Sequence, residues 1–166
     1  MRRVEYESKR IRQAQGGPLP KGRLISTPED AKAAAVEIGG PVVLKVQILA
    51  TGRGKVGGVR FADTPEQAEQ VARDMLGMQI KGYTVGQLLV EEKLSIAKEL
   101  YVAATFEEKT KGRLMMASES GGMDINEVAE KDPTRIKKTS VGAWVGLHPF
   151  NARELAFGLS LEGKAN

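Results

Sequence analysis

The chain has 166 residues, 41% of them hydrophobic, so it can bury a core and has the composition of a globular protein. Its 25 Lys and Arg residues against 21 Asp and Glu residues leave a net charge of +4, and only 5% of its residues are aromatic. A mild, dispersed positive charge with few aromatic side chains argues against nucleic-acid binding.

The absence of cysteine excludes disulfide bonds, a thiol nucleophile and cysteine-ligated metal centres. No apolar stretch approaches the length of a membrane span, and the charged start MRRVEYESKR lacks the apolar segment of a signal peptide. We therefore expect a cytoplasmic protein without a membrane partner.

The first predicted elements are two helices separated by a turn. Apolar residues at helical spacing predict a helix over residues 4–14, which the segment GGPLPKG ends. A second helix begins after Thr27, which can cap it, with Pro28 in the first helical position. Gly39 and Gly40 end this helix.

A predicted hairpin around a glycine-rich loop follows. Residues 42–48 (VVLKVQI) have the β-branched, apolar character of a buried strand, in which Lys45 is the one charged residue. The loop contains glycine and positive charge, at Gly52, Arg53, Gly54, Lys55, Gly57 and Gly58. Residues 58–62 return as a second strand, and Thr64 starts a further helix with a capping box.

The remaining segments alternate between strand and helix. Strands are predicted at residues 87–92, 98–107, 113–118 and 136–141, and helices begin at Asp124 and Asn151. In residues 98–107 the series Leu100, Val102, Ala104 and Phe106 alternates with Tyr101, Ala103 and Thr105, as expected of a half-buried strand. These elements predict an α/β fold of the α+β type, with two lobes of sheet plus helices and a cleft between them.

The order strand, glycine loop, strand favours a flap that binds a polyphosphate. Gly52, Gly54 and Gly57 match G-x-G-x-x-G, but a dinucleotide-binding fold requires a helix after the glycines, and VRFAD here is a predicted strand. The sequence contains no Walker P-loop and none of the HRD or DFG motifs of protein kinases. An ordinary glycine-rich turn remains the alternative.

Lys45 adds to the case for an anion, because an ammonium buried without a partner is costly. A bound phosphate, a carboxylate or the solvent could each satisfy it. Glu91 lies where a buried strand ends, at a connector whose backbone could meet an adenine, and Glu99 could accept hydrogen bonds from ribose hydroxyls. Solvated surface positions are the alternative for both glutamates.

The other polar candidates have simpler explanations. His148 is the only histidine, which argues against a catalytic triad or a multi-histidine metal site, and we expect it in a turn. Trp144 is expected to pack against other side chains. Asp124 and Glu127 are explained by helix capping, so no metal ligand and no catalytic residue is assigned in this chain.

Four motifs in this order carry a family resemblance: KVQILATGRGKVGGV, LLVEEKLSIAKELY, MASESGGMDINEVAEK and NARELAFGLSLEG. Together they resemble the N-terminal ATP-grasp region of the β subunit of succinyl-CoA synthetase, the succinate–CoA ligase. The resemblance implies an ATP-grasp fold over residues 1–166. It implies a first lobe of residues 20–105 and an incomplete second lobe that groups residues 1–19 with 106–166.

The resemblance also implies the activity and the site. The family converts succinate, CoA and a nucleoside triphosphate to succinyl-CoA, nucleoside diphosphate and phosphate in the tricarboxylic acid cycle, through a phosphohistidine on a partner α subunit. The nucleotide-binding positions implied here are Lys45, Gly52, Arg53 and Gly54 for phosphates, and Glu91, Leu94 and Glu99 around base and ribose. The implied cofactors are ATP and Mg²⁺, whose ligands are expected in a downstream part of a β subunit more than twice as long, together with a C-terminal ligase domain.

Two departures from the family pattern concern the loop. Thr51 precedes Gly52 where the family often has paired glycines, and Leu49 replaces a histidine that is common nearby. The alternatives are a malate–CoA ligase or citrate-cleaving relative, or a non-catalytic nucleotide-binding or subunit-interaction fragment. As part of a ligase, this chain alone is expected to be inactive.

Overall fold

The computed structural model describes residues 3–108, 112–142, 144, 146–159 and 161, which form two compact units, Met1–Ser95 and Ile96–Asn166. The first unit contains the helices α1 (Glu5–Ala14), α2 (Pro28–Ile38) and α3 (Pro65–Met75). Its strands are β1 (Gly22–Ile25), β2 (Val42–Val46), β3 (Val59–Ala62), β4 (Gln79–Ile80), β5 (Tyr83–Thr84) and β6 (Leu88–Glu92).

The main sheet of the first unit is antiparallel, in the order β1-β6-β2-β3, and β4 and β5 form a separate short hairpin. Helices α2 and α3 cover one face of the main sheet. The core between them contains alternate strand residues and small helix residues, among them Val42, Leu44, Val46, Leu88, Val90, Ala31, Ala34, Ala35, Ala68, Ala72 and Met75. Burying each large apolar side chain contributes about 1.5–3 kcal/mol.

The alternation of side chains along a strand sends Lys45 and Glu91 to the opposite face of this sheet. Lys45 in β2 pairs in register with Leu89 in β6, and Glu91 pairs with Val43. The two charged residues are therefore diagonal neighbours on the face that α2 and α3 leave uncovered, within reach of each other.

Local signals explain most helix boundaries. The Oγ1 atoms of Thr27 and Thr64 accept hydrogen bonds from the amides of Asp30 and Gln67, both at 3.2 Å, and each cap is followed by proline. Both predicted caps are confirmed. The Gln67 side chain accepts from the amide of Asp63 at 2.9 Å, one residue before the cap, so the bonding differs from an ideal capping box.

The second unit contains a three-stranded antiparallel sheet in the order β7-β8-β9. Its elements are β7 (Tyr101–Glu107), β8 (Gly112–Ser118), α4 (Ile125–Lys131), β9 (Ile136–Val141) and α5 (Pro149–Gly158). Leu155 of α5 and Leu159, which directly follows the helix, pack against Ala117 and Met115 of β8. Asp124 caps α4 as predicted, accepting from the amide of Asn126 at 3.0 Å.

The predicted start of α5 at Asn151 is wrong, because the helix begins at Pro149 with His148 as its N-cap. Proline is favoured at the first helical position, since it lacks the amide hydrogen that would be unpaired there. Asn151 instead lies three residues into the helix, where its Oδ1 accepts from the amide of His148 at 3.1 Å.

Two predictions about apolar residues of the second unit are also wrong. A strand is present there as β7, but it begins at Tyr101 instead of residue 98, and its apolar series is exposed, with Val102 61% and Phe106 75% accessible. Trp144, expected to pack, is 99% exposed. Alternation identifies the two faces of a strand, whereas only the packing of other elements decides which face is covered.

The division into units differs from the predicted lobes. The charged side chains of α1 contact β2 and β6, so residues 1–19 lie with the first unit, and the boundary falls at Ser95 instead of residue 105. Within the residues described, no helix combines the length and apolarity required to cross a bilayer.

Candidate functional site

Lys45 is held by two carboxylates. Its Nζ donates to Oε2 of Glu91 at 2.8 Å and to Oε1 of Glu5 at 3.2 Å. Glu91 is only 2% exposed, so this contact is shielded from water. Of the partners that the sequence left open for Lys45, the structure shows the carboxylate.

Glu5 also binds the glycine loop. Its second oxygen, Oε2, accepts from Nη2 of Arg53 at 3.0 Å, while Nη1 of Arg53 donates to the carbonyl of Val46 at 2.8 Å. Lys9, one turn after Glu5 on α1, pairs with Glu5 at 3.1 Å and with Glu91. We call Glu5, Lys9, Lys45, Arg53 and Glu91 the charge network; it connects α1, β2, β6 and the glycine loop.

The network changes the protonation behaviour of its members. Burial acts to raise the pKa of Glu5, but the nearby Lys45 and Lys9 outweigh it and hold the pKa below the ordinary range. Burial acts to lower the pKa of Lys45, and hydrogen bonds and charge from Glu91 and Glu5 raise it above the ordinary value instead. Both groups are therefore charged at neutral pH.

None of the side chains of α1 is buried, so polar contacts hold this helix to the first unit. Glu5 and Lys9 share one helix face at the i, i+4 spacing. The amide of Tyr6 donates to Oε1 of Gln47 at 2.9 Å, which adds a contact just beyond β2. The helix thus presents one carboxylate to two cations that lie eight residues apart in sequence.

The glycine loop leaves donors available for an anion. Its internal hydrogen bonds run from the amides of Val56, Gly57 and Gly58 to the carbonyls of Arg53 and Gly54. The amides of residues 52–55 donate to no other described residue. A row of unpaired amides in a loop forms a concave site for anions such as phosphate.

Two glycines shape this loop. Gly52 has a φ of +68°, which favours glycine over other residues. A Cβ at Gly58 would lie 2.8 Å from both the Arg53 carbonyl oxygen and a methyl group of Val46, whereas one at Gly54 would meet nothing closer than 4.0 Å. Gly58 therefore permits the loop to close, and Gly54 leaves open space above the backbone.

Leu94 and Glu99 are the remaining predicted positions. Leu94 follows β6 and is 56% exposed. Glu99 belongs to the second unit, where its carbonyl accepts from the amide of Gly121 at 3.2 Å. Its carboxylate lies against Gly122, and no hydrogen bond or ion pair joins it to another described residue.

The structure thus brings Lys45, Arg53 and Glu91 together and sets Gly52 and Gly54 in the adjoining loop. Sequence reasoning missed Glu5 and Lys9 as members of this site. The i, i+4 spacing of opposite charges on the first helix was the available signal, but that pattern is common on solvated helices.

A metal site does not form from the residues described: they contain no group of three or more His, Asp or Glu side chains able to hold an ion. The carboxylates of the charge network are occupied by ammonium and guanidinium groups. Among the described residues, the charge network therefore offers no free carboxylate for Mg²⁺.

Comparison with known proteins gives the family. The ATP-grasp domain model matches residues 3–166. The β subunit of the ADP-forming succinate–CoA ligase of Roseiflexus sp. is 45% identical over 161 residues, covering 97% of this chain and 42% of that protein. The β subunit of the GDP-forming succinate–CoA ligase of Thermus thermophilus is 44% identical over 162 residues, covering 98% of this chain and 43% of the relative.

Among solved structures, a dinucleotide-forming acetyl-coenzyme A synthetase 1 from Ca. Korarchaeum cryptofilum superposes with a TM-score of 0.71 and 22% identity. The match covers 93% of this chain and 65% of that one, and it shows the shared fold. The chain spans less than half the length of the curated relatives it matches. The predicted fold and family resemblance are confirmed: the chain belongs to the ATP-grasp domain family.

Proposed function

We propose that this chain is the nucleotide-binding part of the β subunit of an ADP-forming succinate–CoA ligase. In a complete enzyme with an α subunit it would take part in converting succinate, CoA and ATP to succinyl-CoA, ADP and phosphate in the tricarboxylic acid cycle of the cytoplasm. Lys45, Gly52, Arg53 and Gly54 bind the phosphates, and Glu91, Leu94 and Glu99 lie around base and ribose. Any Mg²⁺ ligands belong to residues outside this chain.

One observation carries the proposal: the unpaired amides of residues 52–55 lie in the loop whose Arg53 side chain shares a carboxylate with Lys45. The two oxygens of Glu5 bind Lys45 and Arg53, so these two cations are close enough to bind one anionic group together. A phosphate also presents several oxygens to such cations, and it can accept further hydrogen bonds from backbone amides.

The cations retain donors for a phosphate. The ammonium of Lys45 has three N–H groups and uses two on Glu5 and Glu91, while Arg53 has five and uses two on Glu5 and Val46. A bound polyphosphate can therefore share these groups with the carboxylates. Donors fixed in this way stabilise the charge that develops when a phosphoryl group is transferred.

The relatives bear on substrate choice. A malate–CoA ligase or citrate-cleaving activity is supported less well, because the relatives 44–45% identical to this chain are named for succinate. One is ADP-forming and the other GDP-forming at nearly equal identity, so direct competition between ATP and GTP decides the nucleotide. Activity of the αβ enzyme with succinate against malate decides the acid.

The site is tested by titrating ATP against the parent chain and its Lys45→Ala and Glu99→Ala variants. We expect each variant to weaken binding about tenfold, which corresponds to about 1.4 kcal/mol. Lys138→Ala is the matched control, because this lysine of β9 is exposed and belongs to none of the predicted binding positions. Equal affinity in all four proteins would reject the site assignment.

A further inference from the structure

We propose that Lys81, which no sequence motif indicated, is an additional phosphate-binding residue of this site. The inference rests on the proposed function, since it assigns a further ligand for the same polyphosphate. The structure places Lys81 over the glycine loop, although it lies in a different hairpin.

Lys81 is the first residue of the two-residue turn between β4 and β5. Its φ is +49°, and that of Gly82 is +82°. Positive φ at both central residues is the geometry of a tight hairpin turn, in which asparagine or glycine is usual at the first position. Among the described residues other than glycine, Lys81 alone has a positive φ.

The turn directs the lysine side chain to the glycine loop. Nζ of Lys81 donates to the carbonyl of Thr51 at 2.6 Å and lies 3.4 Å from the place where a Cβ on Gly52 would stand. The hairpin is tied to the first unit through buried Ile80 and Val85. The ammonium is thus held at the start of the glycine loop, beside Gly52, the first of the residues whose amides have no partner among the described residues.

Lys81 differs from the other cations of the site in its partners. Lys45 and Arg53 are both bound by Glu5, whereas within the described residues no carboxylate oxygen lies within 4.0 Å of the Lys81 ammonium. One of its three N–H groups is used on Thr51, and two are left. These two donors and an uncompensated charge suit a terminal phosphate.

The surrounding cleft favours an anion. It has a volume of about 820 Å³, and its charged lining residues are three cations, Arg3, Arg53 and Lys81, against the single carboxylate of Glu5. Excess positive charge in a concave site raises the local concentration of anions. A polyphosphate extending from the loop amides therefore meets Lys81.

The test uses Lys81→Asn, because asparagine tolerates positive φ and the variant removes the ammonium without straining the turn. ATP and AMP are titrated against the parent, Lys81→Asn, Lys81→Arg and the charge-matched control Lys138→Asn. We expect Lys81→Asn to bind ATP about tenfold more weakly and AMP less than twofold more weakly. Lys81→Arg and Lys138→Asn should remain within threefold of the parent, with equal melting temperatures throughout.

The outcomes separate this inference from the proposed function. ATP binding by Lys81→Asn that equals the parent's would overturn the role of Lys81 and leave the proposed site intact. Equal weakening of ATP and AMP would mean that Lys81 only holds the loop, which also overturns it. No ATP binding by the parent at millimolar concentration would overturn both.

Discussion

The two units use the faces of their sheets in opposite ways. In the first unit, apolar side chains of β2 and β6 fill a core under α2 and α3, and the other face carries the charge network. In the second unit, the residues of β7 that are most exposed include the apolar Val102 and Phe106. The alternation of side chains along a strand therefore leads to a charged face in one unit and an exposed apolar face in the other.

The residues that stabilise the two units also differ. The first unit concentrates both its apolar burial and its buried charge around β2 and β6. The second has a smaller buried cluster, in which Leu155 and Leu159 pack on Ala117. Matched substitutions in the two units test this difference, and hydrogen exchange of amides in β2 or β8 reports each unit separately.

The largest effect is expected at the buried charge. Glu91→Gln removes the buried carboxylate, 2% exposed, that pairs with both Lys9 and Lys45 and leaves these lysines only their pairs with Glu5. We therefore expect the first unit to lose up to about 3–5 kcal/mol of its free energy of unfolding. Glu119→Gln removes one partner of the exposed pair with Lys98 in the second unit and should cost about 0.5 kcal/mol or less. Equal losses in urea titrations would contradict the contrast between the units.

Apolar truncation should show the next largest contrast. Leu44→Ala empties a fully buried position in the first unit, with an expected cost of about 2–5 kcal/mol. Phe106→Ala removes a larger side chain that is 75% exposed, so we expect a change within about 0.5–1 kcal/mol in the second unit. Urea midpoints of both variants measure this, and a cost above 2 kcal/mol for Phe106→Ala would show that its ring is buried.

Two glycines should be equally intolerant although they lie in different units. A Cβ at Gly58 would meet Arg53 and Val46 at 2.8 Å, and one at Gly121 would lie 2.6 Å from the Glu99 carbonyl oxygen. Alanine at either position should cost about 1–3 kcal/mol through forced backbone movement. Gly40→Ala is the control, because a Cβ at Gly40 would have no atom within 4 Å. A loss of melting temperature for Gly40→Ala as large as that of the other two variants would contradict the steric argument.

The smallest effect is the pH dependence of the first unit. The pKa of Glu5 is lowered in the folded state, so its stabilising contribution is present above the ordinary value of 4.5 and is lost as the pH falls through the folded value. The pKa of Lys45 is raised in the folded state, so its stabilising contribution is fully present below the ordinary pKa of 10.5. That contribution is lost as the pH rises through the pKa of the folded state.

Urea unfolding between pH 6 and pH 3 tests the acid limb. The parent should lose stability more steeply than Glu5→Gln, because the variant has no carboxylate to protonate at that position. Parallel curves for the parent and Glu5→Gln would show that Glu5 is not held ionised by the network.

Local sequence signals were sufficient for the helix caps at Thr27 and Thr64, for the hairpin of β2 and β3, and for the idea that Lys45 needs an anionic partner. Each depends on residues close together in the chain, where backbone preferences and side-chain alternation act directly. The identity of that partner depends on Glu5, 40 residues away, and on the register that sets Glu91 beside Lys45. Lys81 lies 30 residues from Thr51, and its ammonium reaches the Thr51 carbonyl only because the turn between β4 and β5 directs its side chain to the glycine loop. Contacts between distant segments depend on how elements pack, and spacing along the chain does not encode that packing directly.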